Sequence, residues 1–117
     1  MSYVDGFLVP VPEGKKEAYR AVALQAAGIF KSYGATRVVE AWGDDVPDGK
    51  VTDFKKAVQL DAGEVVVFSW VEWPDKAARD AGMAKVMVDP MMQPGAQEMP
   101  FDGKRMIFGG FAAIVEE

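Results

Sequence analysis

The sequence predicts an α+β fold: one antiparallel sheet with two helices on a single face. Two observations lead there. Segments with helical spacing alternate with extended segments in the order β-α-β-β-α-β, over 117 residues that fit one domain, 1–117. The stretch VVVFSWVEW, Val65 to Trp73, is rich in strand formers yet shows no polar face before Glu72. One parity carries Val65, Val67, Ser69, Val71 and Trp73, the other Val66, Phe68, Trp70 and Glu72. A half-buried strand alternates apolar with polar, so this one needs cover on both sides.

The elements follow in order. Tyr3 to Val11 reads as a strand, interrupted at Asp5 and Gly6 and ended by Pro10 and Pro12, which suit a strand end better than an interior ladder position. From Glu13 to Tyr33 the period becomes helical, with Val22, Ala26, Ile29 and Tyr33 as one stripe and Gly34 where a C′ glycine belongs. Arg37 to Trp42 is the second strand. GDDVPDGKVTD is loop by composition, and Phe54 to Leu60 reads as a short strand or an irregular return. DAG then turns the chain into VVVFSWVEW. Asp75 is an N-cap for a second helix whose small-residue face is Ala77, Ala81, Ala84, Val88 and Met91, and Pro90 ends or breaks it. Another loop leads to a last strand, Arg105 to Glu116, in which Gly109-Gly110 signals a bulge or a close backbone approach.

This order fits a ferredoxin-like sheet. Its helices cover one side of VVVFSWVEW and leave the other bare. A large apolar sheet face is unusual on the surface of a soluble monomer. The simplest cover is a second copy, and two such sheets face to face make a homodimeric α/β barrel.

Composition narrows the function. Half the residues are hydrophobic, enough for a core, and the formal net charge is -5 from 18 acidic and 13 basic residues. That balance speaks against nucleic acid and against an anionic membrane surface as partners. No apolar run approaches the ~18 residues of a membrane span, and the N-terminus has no signal-peptide pattern, so a cytoplasmic bacterial protein is expected. With no cysteine there is no disulfide, thiol nucleophile or Cys-based metal site. With no histidine the usual neutral-pH base is missing, and acid–base chemistry falls to carboxylates, Lys, Tyr or an exogenous cofactor. Neither a metal nor a cofactor is expected. GDDVPDG fails as a calcium loop, because counting from Asp44 puts Val46 at position 3 and Lys55 at position 12. It fails as a P-loop too, with five residues between Gly43 and Gly49. Its Asp side chains are expected to cap their own backbone.

The stretches YVDGF (Tyr3–Phe7), VVEAWGDDVPDGKVTDFKKAV (Val38–Val58), VVFSWVEWP (Val66–Pro74), DPMM (Asp89–Met92) and MPFDGKRMIFGGF (Met99–Phe111) resemble the DUF1428 family of small bacterial proteins. The resemblance covers nearly the whole chain. It implies a dimeric α/β barrel of the antibiotic-biosynthesis-monooxygenase type. It implies no activity, because the family is one of unknown function. The chain departs from the family pattern at Ala41, where members often carry a Cys, and at Met91, where a basic residue is expected. The wider superfamily includes cofactor-free monooxygenases and haem degraders that use a His, Asn and Trp set. This chain has neither His nor Asn, and Trp70 is the one echo.

Two functions stay open. One is a small-molecule-binding protein or cofactor-free enzyme of the monooxygenase-like barrel type, acting on a small organic ligand. The other is a non-catalytic dimeric carrier, sensor or interaction module. The catalytic residues are unassigned. The candidate pocket is Asp5, Glu40, Trp42, Trp70, Glu72 and Arg105. Glu40 and Trp42 share one face of their strand, as do Trp70 and Glu72, and antiparallel neighbours let both pairs converge if the register allows. Carboxylates inside strands either face water at an edge or are paired inside. Arg105, following the FDG turn, either clamps an anion or pairs with nearby carboxylates. The tryptophans read as core or interface, and the methionines as core filler near mobile segments.

Overall fold

The computed structural model describes residues 1–117. Four strands, β1 (Tyr3–Pro12), β2 (Arg37–Trp42), β3 (Glu64–Trp73) and β4 (Ile107–Ala112), form one open antiparallel sheet in the order β2-β3-β1-β4. Three α-helices connect them: α1 (Lys16–Ser32), the one-turn α2 (Phe54–Ala57) and α3 (Lys76–Val88). No helix is long and apolar enough to cross a membrane.

Register fixes which side chains share a face. Asp5 lies opposite Val71, Phe7 opposite Ser69 and Val9 opposite Val67, while Val38, Glu40 and Trp42 stand against Val71, Ser69 and Val67. These residues look toward the helices. Val9, Val11 and Val67 bury against Tyr19 and Ala23 of α1. Val71 and Trp73 bury with Ala35, flanked by Phe30 and Met83. The other parity (Val4, Leu8, Val39, Phe68, Trp70, Glu72, Phe111) has neither α1 nor α3 over it, and only Phe54 of the one-turn α2 reaches it, with its ring centroid 5.9 Å from that of Phe68. The result is a slab, 38 × 36 × 20 Å, with only 16 residues buried.

Several expectations are corrected. β1 runs unbroken through Asp5 and Gly6, and Pro10 sits within it opposite Val66. It is tolerated there because β4 pairs only as far as Leu8, which leaves the second edge of β1 without a ladder. The buried stripe of α1 holds Tyr19 and Ala23, shifted from the one starting at Val22, after a 3₁₀ turn over Glu13–Lys15. Phe54–Leu60 is no strand, because Asp53 caps a helical turn by accepting from Lys56 N at 2.7 Å. The alanine face of α3 points outward, and Gly82 and Val86 are buried instead. The last strand is shorter than Arg105–Glu116, and Arg105 precedes it.

Other expectations hold. Asp75 caps α3 by accepting from Ala78 N at 2.7 Å, and α3 stops at Val88, ahead of Pro90. Gly34 takes φ +112° just after α1. Gly110 is a close approach with regular pairing and no bulge: a Cβ there would meet the ring of Tyr3 and the guanidinium of Arg79.

Candidate functional site

Glu40, an exposed residue on the edge strand β2, is the centre of a polar cluster between an apolar wall on its inner side and the groove of Lys16 and Arg20 on its outer side. β2 presents it toward α1, where the Tyr19 hydroxyl donates to its Oε1 at 2.6 Å. From the neighbouring strand, Ser69 Oγ donates to Oε2 at 2.8 Å. Burial, and then the hydrogen bond and charge of Glu40, push the Tyr19 phenol well above the ordinary tyrosine range, so it stays a protonated donor.

Two hollows meet at this cluster. The inner one, about 190 Å³, lies between α1 and the sheet, walled by residues such as Phe7, Val22, Phe30 and Val71. The loop after α3 closes it with Met92, Met99, Phe101 and Met106. The outer one, about 270 Å³, is a groove along the free edge of β2, between Lys16, Arg20 and Leu24 of α1 and Trp42. Tyr19, Ala23, Ala27, Val38 and Glu40 line both. Trp42 forms the outer wall, with Lys16 Nζ 5.4 Å from its ring centroid.

The remaining sequence candidates lie elsewhere. Trp70 and Glu72 occupy the uncovered face, where Trp70 Nε1 donates to Glu72 Oε2 at 2.9 Å and Arg37 stands 3.6 Å away. The register therefore sends the two Trp-carboxylate pairs to opposite sides of the sheet, and they do not converge. Asp5 is 4% exposed and paired rather than at a wet edge. Trp73 Nε1 donates to its Oδ2 at 2.9 Å, and Arg79 Nη2 to its Oδ1 at 2.7 Å, with Arg79 Nε bridging both oxygens. Arg79 also stacks 5.1 Å from the Tyr3 ring centroid. This is a clasp joining β1, β3 and α3. Arg105 grips Glu64 through two nitrogens at 2.8 and 2.7 Å and Asp102 at 2.9 Å, which leaves it tied to its own chain rather than offered as an anion clamp.

Sequence reasoning missed Tyr19, Ser69 and Arg79. Ser69 carried a usable signal, being the one hydroxyl on an otherwise apolar strand parity. Arg79 carried none, because nothing in a helix period announces the partner across the fold.

The model of the family described as "Protein of unknown function (DUF1428)" matches residues 2–103. The chain belongs to the DUF1428 family. It is 58% identical, over all 117 residues and the full length of each relative, to the protein called "Uncharacterized protein YbaA" in Escherichia coli K12, in Escherichia coli O157:H7 and in Shigella flexneri. The family match spans every residue of the Tyr19–Glu40–Ser69 cluster and of the Asp5 clasp.

Proposed function

We propose that this chain is a cytoplasmic homodimeric small-molecule-binding protein whose site is the hollow between α1 and the sheet. The observation that carries the reading is a 190 Å³ space with an apolar wall, a methionine-lined closing loop and one polar cluster, Tyr19–Glu40–Ser69. Binding sites are commonly apolar concavities with a few converging polar groups. Methionine is the side chain best able to repack around a guest.

The dimer reading draws on shape. A compact monomer of 12.7 kDa is expected to expose roughly 6,200 Å², and this chain exposes 7543 Å². The excess matches an uncovered sheet face bearing half-exposed Phe68 and more exposed Phe111. Strand order and one-sided helices support a ferredoxin-like unit of an antibiotic-biosynthesis-monooxygenase-like dimeric barrel. A cofactor-free enzyme fits this frame, with a carboxylate at the cavity as its only evident base. A non-catalytic carrier or sensor is the second reading, favoured by the cluster being hydrogen-bonded among its own members.

The test is methyl NMR with apolar fragments. Shifts confined to Val22, Val71, Met99 and Met106 are expected, and Ala26→Leu, which fills the hollow, should abolish them. Fragments that perturb only the uncovered face, or that bind Ala26→Leu equally well, would remove the site from this hollow.

A further inference from the structure

We infer that the inner hollow selects a neutral, single-ring aromatic molecule that donates a hydrogen bond, such as a phenol or an aryl alcohol, and rejects the matching carboxylate. The inference rests on the hollow being a ligand site, as proposed above.

Its basis is which hydrogen-bonding capacity remains free. Three side chains bring polar atoms to the wall: Tyr19, Ser69 and Glu40. An ionised carboxylate only accepts, so the Tyr19 and Ser69 hydroxyls must both point their protons at Glu40. Each hydroxyl has one proton, and each is thereby engaged. What the cluster turns toward a guest is acceptors alone: lone pairs of the Tyr19 and Ser69 oxygens and the remaining sites on Glu40, which has about four. Backbone donors of α1 and of the paired strand segments are largely held in helix and sheet ladders. A guest with a hydroxyl gains a charge-assisted hydrogen bond. A guest with none leaves the acceptors unpaired on losing their water. A carboxylate meets lone pairs and a like charge against an apolar wall, with no side-chain donor left to compensate. The cations Lys16 and Arg20 line the outer groove and are absent from the inner wall.

Size sets the rest of the class. A dry apolar cavity of about 150 Å³ accepts benzene, so 190 Å³ suits one ring with a small substituent.

The experiment uses three probes matched in shape and differing in one group: p-cresol, p-xylene and p-toluate. Binding to the full-length protein is followed through the ε-methyl signals of Met92, Met99 and Met106, which lie at the inner wall or its rim. The expected result is p-cresol about tenfold tighter than p-xylene, the discrimination of one hydrogen bond to a charged acceptor, with no response to p-toluate. Glu40→Gln adds an amide donor and is expected to narrow the cresol preference and admit p-toluate. Tyr19→Phe leaves the carboxylate acceptor in place and should keep the cresol preference. Equal binding of p-cresol and p-xylene, or preference for p-toluate, overturns the class while leaving the hollow as a ligand site. Silence of all three methyls with every probe overturns both. The wild-type series decides alone should either variant fold poorly.

Discussion

The buried carboxylate Asp5 shows how strongly single residues are held in a thin molecule. Its two oxygens accept from Trp73 and Arg79, and no buried side-chain polar atom in the chain lacks a partner. Removing Arg79 alone leaves a buried carboxylate with no counter-charge and only the Trp73 indole N–H as a side-chain donor. Arg79→Leu is therefore expected to cost about 3–5 kcal/mol in urea unfolding. Asp5→Leu combined with Arg79→Leu should cost clearly less than the two single changes together, because no charge is left unpaired. Additive costs would mean that the two residues act separately. Glu64 gives a pH-dependent counterpart. The hydrogen bonds from Arg105 hold its carboxyl below the ordinary value of 4.5. A depressed folded-state pKa adds stability above the unfolded value and loses it as pH falls through the folded one. Wild type should thus melt higher than Glu64→Gln near neutral pH, and the gap should close as pH drops below about 4.5. A gap unchanged down to pH 3 would show that Arg105 contributes through packing rather than charge.

Among the elements, α3 is the instructive case. Its sequence shows a small-residue face, and that face looks outward. What brings this helix down on the sheet is Gly82: a Cβ there would meet the indole of Trp73 and, at 2.5 Å, the carbonyl oxygen of Tyr33. Trp73 is fully buried and cannot move aside. Gly82→Ala is expected to destabilise by about 1–3 kcal/mol despite its better helix propensity, whereas Ala84→Ser on the outer face should be nearly silent. Thermal melts of the two variants read the contrast directly. The same element marks the limit of sequence reading. Helix existence, the Asp75 cap and the stop before Pro90 are local chemistry, and all were legible. Which face turned inward depended on an indole nine residues upstream and on a carboxylate at the other end of the chain. β2 and β3 behaved alike. Their pairing followed from element order, but register decided that Glu40 faces α1 while Glu72 faces away, and no local signal fixes register between two apolar strands. The polar cluster needed that register together with the azimuth of α1, so Glu40 was legible as a candidate while its partners were not.

At the scale of the whole molecule, the charge and the bare sheet face lead to separate expectations. With a net charge of -5 the counterion-release contribution to nucleic-acid affinity is missing. No submicromolar binding of duplex DNA at physiological salt is expected in a fluorescence titration. The sheet face points to self-association. β3 runs through the middle of the sheet, and on its uncovered parity Phe68 is 46% exposed, stacked edge-on to Trp70 with ring centroids 5.5 Å apart. Aromatic residues at the centre of a patch are where dimer energy concentrates, and a stable interface here must bury more than about 1,000 Å² in total. Phe68 stands outside both core clusters, so replacing it should spare the fold. Phe68→Lys places a charge where the partner's sheet would lie. Wild type is expected to scatter light as twice 12.7 kDa at micromolar concentration, and Phe68→Lys as a folded 12.7 kDa species with unchanged far-UV dichroism. Leu24→Lys, 74% exposed on the outer side of α1, serves as the control and should remain dimeric. A wild-type protein that stays at 12.7 kDa would end the barrel reading. A dimer lost in Leu24→Lys and kept in Phe68→Lys would move the interface to the helical side, where it would cover the outer groove and with it one route to Glu40.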